Sequence, residues 1–371
     1  MKIGIDARMY GPKVGGIGNY VKNLIHALLE LDKKNEYVLF FLEDGYKEFS
    51  HEKGIVKKVL VKSHWYSLSE QIRFMRRVEK EKTDIMHFPN FNVPLLFTRK
   101  FVTTIHDMTP WYYADGQSAL YLHRRWGYTT VISSAVRRAE SILSVSEYTK
   151  KDIVKLFPKC EEKIRVVYPG IDSFFHKEEN YVIINEAKKR YGITKPYILY
   201  VGVFRVHKYI PALLRAFKII SDAHPEYELV LVGDQKKADP DIEKTMRELS
   251  LEGKVRKTGF IPNEDLNTLY SAAEVTVIPS LKEGFGLHAL ESLTCGTPVA
   301  ASEMTSIPEI LGDSGIYFNP NDEQETAKVI KRVLFSGAVR EALLRNSESV
   351  LQKYAWDKTA QKTLEAYKQS L

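Results

Sequence analysis

The feature that most constrains this chain is a repeated alternation. Short apolar runs rich in β-branched and aromatic residues are separated by stretches of helical periodicity, and they form two successive series. In the first, KIGIDA at the start, YVLFFL at 37–42, VKKVLV, DIMHF, FVTTIHD and SILSVS read as strands. Between the first two, YVKNLIHALLEL at 20–31 sets Val21, Leu24, Ile25, Leu28 and Leu29 on one side of a helix. The second series opens with YILYVGV at 197–203, takes ALLRAFKII at 212–220 as its first helix, and continues through ELVLVG, VRKTGF, VTVIPS, PVAAS and GIYF. Strands that alternate with helices imply a parallel sheet covered on both faces. Each series needs its own helical layers, and 371 residues exceed what one core usually spans. The expected fold class is therefore α/β, with two doubly wound domains, 1–175 and 176–354, joined through the polar stretch HKEEN at 176–180. Ligands of such sheets bind beyond the carboxyl ends of the strands, so a face-to-face pair leaves one cleft.

Composition excludes several classes. Asp6 and Arg8 interrupt the opening apolar stretch, which reads as a first strand and not as a signal peptide. No run approaches the roughly 20 apolar residues of a membrane span. Cys160 and Cys295 stand far apart with no metal-like spacing, which points to a reducing compartment, the cytoplasm. The charge is uneven: residues 1–175 hold 28 Lys and Arg against 20 Asp and Glu, whereas 176–371 hold 26 against 27. Basic pairs such as Lys57-Lys58, Arg76-Arg77, Arg124-Arg125 and Lys150-Lys151 suit an anionic surface, including peripheral contact with the inner face of the cell membrane, or are simply solvated. No nucleic-acid motif accompanies them, so nucleic acid is not an expected partner.

Three places carry chemistry. Gly15-Gly16-Ile17-Gly18 lies between the first strand and the first helix, where glycines admit an anion close to free N–H groups; taken alone, GGxG is better explained as a flexible turn. Lys208 follows the strand-end Gly202 and suits a diphosphate or, as most lysines do, solvent. The most informative stretch is Glu283-Gly284-Phe285-Gly286-Leu287-His288-Ala289-Leu290-Glu291, followed by the turn Cys295-Gly296-Thr297-Pro298. It leaves the strand VTVIPS and enters a helix, so backbone donors stand beside two carboxylates, the pairing that binds sugar hydroxyls. Singly, either glutamate reads as a cap or a solvated helix residue; together with the glycines, they read as a site. His106 closes an apolar strand, as a structural hydrogen-bonder or as a group at a site, and Asp107 caps the next turn or joins it. Asp239-Pro240-Asp241 has the spacing of a metal-binding Asp-x-Asp, but Asp241 reads as the N-cap of IEKTMREL. The aromatics Trp111, Tyr112, Tyr113, Tyr121, Trp126 and Tyr128 read mainly as core, with stacking on an acceptor as the alternative.

The ordered set GGIGNY, TIHD, SVSEYTK, VVYPGID, LYVG with Lys208, Glu283 to Glu291, TSIPEI and YAWDKTA resembles the family 4 retaining glycosyltransferases of the GT-B fold over nearly the whole chain. The resemblance implies two Rossmann-like domains, an acceptor domain first and a nucleotide-sugar domain second, with the helix at 355–371 crossing back onto the first. It implies that Lys208 binds the donor diphosphate, Glu283 the donor sugar and Glu291 the ribose. Gly15 and Gly16 would meet the phosphates, as would the N–H groups of Gly284, Phe285, Gly286 and Leu287, and His106 would stand by the reaction centre. Where the family often has an arginine after the strand-end glycine this chain has Val203, with Arg205 as the replacement. His288 occupies a position that is often proline. The opening GIDARMY looks most like mannosyltransferase-type members acting on surface polysaccharides, so the expected partners are GDP-mannose and a glycan or lipid-linked acceptor, with no metal or other cofactor. A UDP-sugar donor, a GT-B epimerase or phosphorylase, and a non-catalytic sugar-nucleotide sensor are the alternatives.

Overall fold

Strand β1, Lys2–Asp6, is buried from Ile3 onwards, which is why KIGID shows no polar alternation: a parallel strand is covered on both faces. The same holds for β2 (Glu36–Phe41), β4 (Ile85–Phe88), β5 (Phe101–Ile105) and β6 (Ser141–Ser144). With the outer strands β3 (Val56–Leu60) and β7 (Ile164–Val166) they form a parallel sheet in the order β3-β2-β1-β4-β5-β6-β7. A second parallel sheet, β10-β9-β8-β11-β12-β13, is built from β8 (Tyr197–Val201), β9 (Glu228–Val232), β10 (Val255–Gly259), β11 (Val275–Ile278), β12 (Val299–Ser302) and β13 (Gly315–Phe318). Both orders are doubly wound, reversing direction between β1 and β4 and again between β8 and β11. This computed structural model describes all residues except 52, 53, 55, 113–118 and 236–237, together with the side chains of 119–124.

The chain divides into one unit of Met1–Gly170 with Tyr354–Leu371 and another of Ile171–Lys353. Residues 176–180, expected as the linker, lie inside the second unit. Polar side chains of its helix Asn263–Ser271 hold them there: the His176 N–H donates to Asn267 Oδ1 (2.9 Å) and the Glu178 N–H to Ser271 Oγ (2.9 Å). The helix Trp356–Gln369 packs against the helix Gly16–Leu31, sending Ala360, Leu364 and Tyr367 into the core with Leu24 and Leu28. Its Tyr367 hydroxyl lies 2.6 Å from Nδ1 of the buried His87. Thr359 Oγ1 donates to the Tyr168 carbonyl (2.8 Å), closing the first unit on itself.

One glycine in the first helix is required by packing. A Cβ at Gly18 would stand 2.0 Å from the Gly11 carbonyl oxygen and 2.9 Å from that of Met9. At Gly16 it would meet nothing within 4 Å, and Gly16 has no positive φ. We expect Gly18→Ala to destabilise the protein by about 1–3 kcal/mol, as overpacking does, and Gly16→Ala to melt like the parent or slightly higher. Denaturant melts of both variants make the check.

Candidate active site

In the second unit the two strands at the reversal of order, β8 and β11, are direct neighbours, and the loops that follow them carry the candidate residues. After β8 the chain turns through Gly202 into a single 3₁₀ turn, Val206–Lys208. Arg205 opens this turn, its carbonyl accepting the Lys208 N–H (2.9 Å). After β11, residues 279–286 lead into the helix Leu287–Thr294. The Leu281 N–H donates to the His207 carbonyl (2.8 Å) and ties the two loops together.

This places Lys208 on Glu283. The Lys208 ammonium donates to Glu283 Oε1, Ser280 Oγ donates to the same oxygen (2.9 Å), and His288 Nε2 stands 3.7 Å from it. Burial pushes the Glu283 carboxyl up, but the charge and hydrogen bond of Lys208, with His288 and the Ser280 hydroxyl, together outweigh it and hold the group down at about 2. A carboxyl depressed in this way adds stability at every pH above its ordinary range and loses it only as the pH falls towards that value. Burial likewise lowers His288, to about 4, so the imidazole is neutral beside a neutralised pair. Gly286 caps the helix with φ +91°, a backbone conformation that favours glycine, and a Cβ there would also press on the tip of the Ile307 side chain, 2.4 Å from Cδ1. The N-terminal end of this helix, where the Ala289 N–H donates to the Gly286 carbonyl (2.9 Å), lies directly after the Glu283-Gly284-Phe285-Gly286 loop and carries the positive end of the helix dipole.

Glu291 lies about one turn along the same helix and has a different environment. Its Oε2 accepts from the buried Tyr270 hydroxyl (3.0 Å). Burial raises its carboxyl to about 7; the Tyr270 hydrogen bond opposes the rise and Asp172 reinforces it. The two glutamates of the motif are thus separated chemically: one is fixed as an anion, the other is close to half-protonated at neutral pH.

In the first unit, β1 leads to Gly15 and Gly16, both exposed at the start of the helix Gly16–Leu31. Tyr20 of that helix meets the His106 ring edge-to-face, with 4.8 Å between centroids. His106 follows β5, and its Nε2 lies 2.8 Å from the Pro89 carbonyl oxygen. A carbonyl can only accept, so Nε2 carries the proton and Nδ1 is left as an acceptor. Burial lowers the His106 value, which keeps the ring neutral. Asp107 caps the next turn, accepting the Thr109 N–H (2.7 Å).

Two expectations change. In Asp239-Pro240-Asp241 the capping carboxylate belongs to Asp239, which accepts the Asp241 N–H (3.0 Å), because the helix begins at Asp241 itself. Of the aromatic group, Trp111 and Tyr128 pack as core against Phe157 and Phe91, but Tyr112 and Trp126 are exposed. Tyr113 and the Tyr121 side chain lie outside the described residues. Sequence reasoning missed Ser280 and Tyr270. Ser280 had a signal, three residues before Glu283 at a strand end, whereas Tyr270 arrives from a separate helix with no local cue.

Residues 14–173 match the family described as Glycosyltransferase Family 4, and residues 183–350 the one described as Glycosyl transferases group 1. The O-antigen chain mannosyltransferase B of Escherichia coli is 30% identical over 292 residues, 77% of this chain and 74% of that protein. The chain belongs to glycosyltransferase family 4. It is accordingly a nucleotide-sugar-dependent glycosyltransferase. Its fold is GT-B. The sucrose-phosphate synthase of Thermosynechococcus elongatus superposes with a TM-score of 0.77 at 21% identity, covering 100% of this chain and 98% of that one. Anabaena HepE, solved in complex with UDP and glucose, gives 0.73 at 17% identity and 99% of each chain. No described helix of this glycosyltransferase is long and apolar enough to cross a membrane.

The raised Glu291 value has a testable cost. A carboxyl whose folded value lies above its ordinary one destabilises the fold as the pH rises through the interval between them, and the penalty is constant above it. Glu291→Gln is therefore expected to melt as the parent does near pH ~4 and to be more stable by about 2–3 kcal/mol near pH ~8. Denaturant titrations at the two pH values check this.

Proposed function

We propose that this glycosyltransferase transfers a hexose with retention of configuration, mannose from GDP-mannose, to a glycan or lipid-linked acceptor in surface polysaccharide synthesis. The observation that carries the reading is the Lys208–Glu283 pair at the strand reversal, set against a glycine-capped helix start. The second unit, on this reading, holds the donor. Lys208, Arg205 and the N–H groups from Gly284 to Leu287 face the diphosphate, Glu283 the hydroxyls of the transferred sugar, and Glu291 the ribose. The first unit binds the acceptor, with Gly15 and Gly16 toward the phosphates. Gly16 suits that role because it is exposed and, among the described residues, no atom lies within 4 Å of a Cβ built there. His106, neutral with Nδ1 as acceptor, is suited to a sugar hydroxyl near the reaction centre.

As the bond from the anomeric carbon to the diphosphate oxygen breaks, negative charge grows on the leaving group, and Lys208 with the backbone donors stabilises it. The acceptor hydroxyl attacks the same face through an oxocarbenium-like state and gives its proton to the departing phosphate oxygen. No step in this route calls on a metal. Mannose is favoured by the Escherichia coli relative, which is named an O-antigen chain mannosyltransferase. The UDP and glucose in the HepE structure support the second reading, a UDP-sugar donor. The reading also includes peripheral contact of the basic first half with anionic lipid on the cytoplasmic side.

A nucleoside diphosphate should raise the melting temperature without added divalent ion, GDP more than UDP. Stabilisation by UDP alone would give the donor to the second reading, and a response abolished by EDTA would count against a metal-free site. The three donor residues should separate in calorimetry and transfer kinetics. Lys208→Ala is expected to lower turnover by about 10² to 10³ with a smaller loss of donor affinity. Glu291→Ala should weaken donor and free nucleotide alike. Glu283→Ala should spare free nucleotide but weaken the sugar donor and slow transfer. Parental transfer rates in all three folded variants would overturn the assignment.

A further inference from the structure

We infer that the outer face of residues 70–80 and the adjoining turn 94–97 form a bilayer-docking surface, with aliphatic side chains entering the lipid interface and arginines meeting anionic headgroups. This deepens the peripheral-membrane part of the proposed function and uses residues outside the donor site.

The segment begins as a π-helical turn, Glu70–Phe74, and continues as an α-helix, Met75–Lys80. Phe74 and Val78 point into the same core as Val93 and Phe97 of the turn, with Met75 packed against it, and Ile72, Arg73, Arg76 and Lys80 are left exposed. Leu96 is 72% exposed, Ile72 52%, and Leu68, just before the helix, 86%; Leu95 is exposed beside them. The turn is held in a fixed shape. The Leu95 N–H donates to Gln71 Oε1 (2.8 Å), joining the two elements, and the Phe97 N–H donates to the Pro94 carbonyl (3.1 Å). The Arg138 guanidinium bonds the carbonyls of Pro94 and Phe97 from behind. The leucines are therefore presented by a braced backbone.

Charge identifies the partner. Arg76 and Lys80 are exposed four and eight positions after Ile72, on the same side of the helix, and the exposed Arg73 lies at the edge of that side. The neighbouring carboxylates are turned away: Glu70 is buried on Arg8, and Glu81 is buried between Lys57 and Arg77, leaving the half-buried Glu79. An exposed aliphatic cluster rimmed by cations matches an anionic lipid surface. A symmetric contact with a second copy would set these like charges against one another.

The test is co-sedimentation of the full chain with phosphatidylcholine vesicles with and without phosphatidylglycerol, at low and high salt. Arg73→Glu with Arg76→Glu should weaken binding to the anionic vesicles by about twenty-fold or more at low salt, each arginine being worth about five-fold. Leu68→Ser with Leu96→Ser should weaken it by about ten-fold or more, and that loss should persist at high salt. The same charge change on the terminal helix, Lys362→Glu with Lys368→Glu, should cost much less. If the two charge-reversed pairs lose equally, the basic half acts diffusely and the patch is refuted while membrane contact stands. If the parent binds no vesicle, both fail. If the leucine pair alters only self-association in sedimentation velocity, the face is a contact between copies and the inference is overturned. Each variant is checked by melting, and exposed positions should leave the transition unchanged.

Discussion

Parallel pairing governs this molecule. A strand that must run in the same direction as its neighbour cannot be reached by a tight turn, so the chain crosses over each sheet through a helix and every strand delivers its following loop to one edge. Where the strand order reverses, the loops of two adjacent strands diverge to opposite faces and leave a gap between them. In the second unit those are the loops after β8 and β11, and they bring Lys208 to Glu283 across 75 positions of sequence. The ion pair, the glycine-capped helix and the bond between Leu281 and His207 all follow from that adjacency.

The motif then treats its two carboxylates in opposite ways. Glu283 receives a cation, a serine hydroxyl and a nearby imidazole, and it remains charged although buried. Glu291 receives a single neutral hydroxyl and is driven toward protonation. A fold selected for stability alone would leave neither arrangement, because apolar residues of similar volume replace a buried ion pair at little or no loss and an unpaired buried carboxyl is a direct penalty. Such departures from the most stable choice accord with the ligand-binding role proposed for Glu283 and Glu291.

Most of the described strands were legible because buried parallel strands appear as unbroken apolar runs; the outer strands β3 and β10 break theirs with lysine or arginine, and the short, half-exposed β7 was not read as a strand. The Glu283 to Glu291 stretch was legible for a local reason: strand, glycines, carboxylates and helix follow one another without interruption. What could not be read was contact between distant elements. Tyr270 reaches Glu291 from another helix, and a tyrosine in NTLYS looks like ordinary core until the helices are packed. The polar run at 176–180 misled for the same reason: its backbone is satisfied by Asn267 and Ser271, so polarity marked hydrogen-bonding partners and not a break between units. In Asp239-Pro240-Asp241 the cap moved by two residues because helix starts are set by backbone geometry as much as by residue type.

The terminal helix makes the second unit an insertion within the first. Ala360, Leu364 and Tyr367 complete a core whose other members come mostly from the opening fifty residues, with Ile85, Val102, Leu143 and Val167 from later strands and turns, and the buried His87 keeps its Nδ1 partner only when Tyr367 is in place. During synthesis the inserted unit is fully translated by Lys353, before the first unit has its last helix. The order of completion on the ribosome is therefore the reverse of the order of translation: the unit begun first closes last, and until then it presents an apolar groove along the helix Gly16–Leu31 to whatever the nascent chain meets.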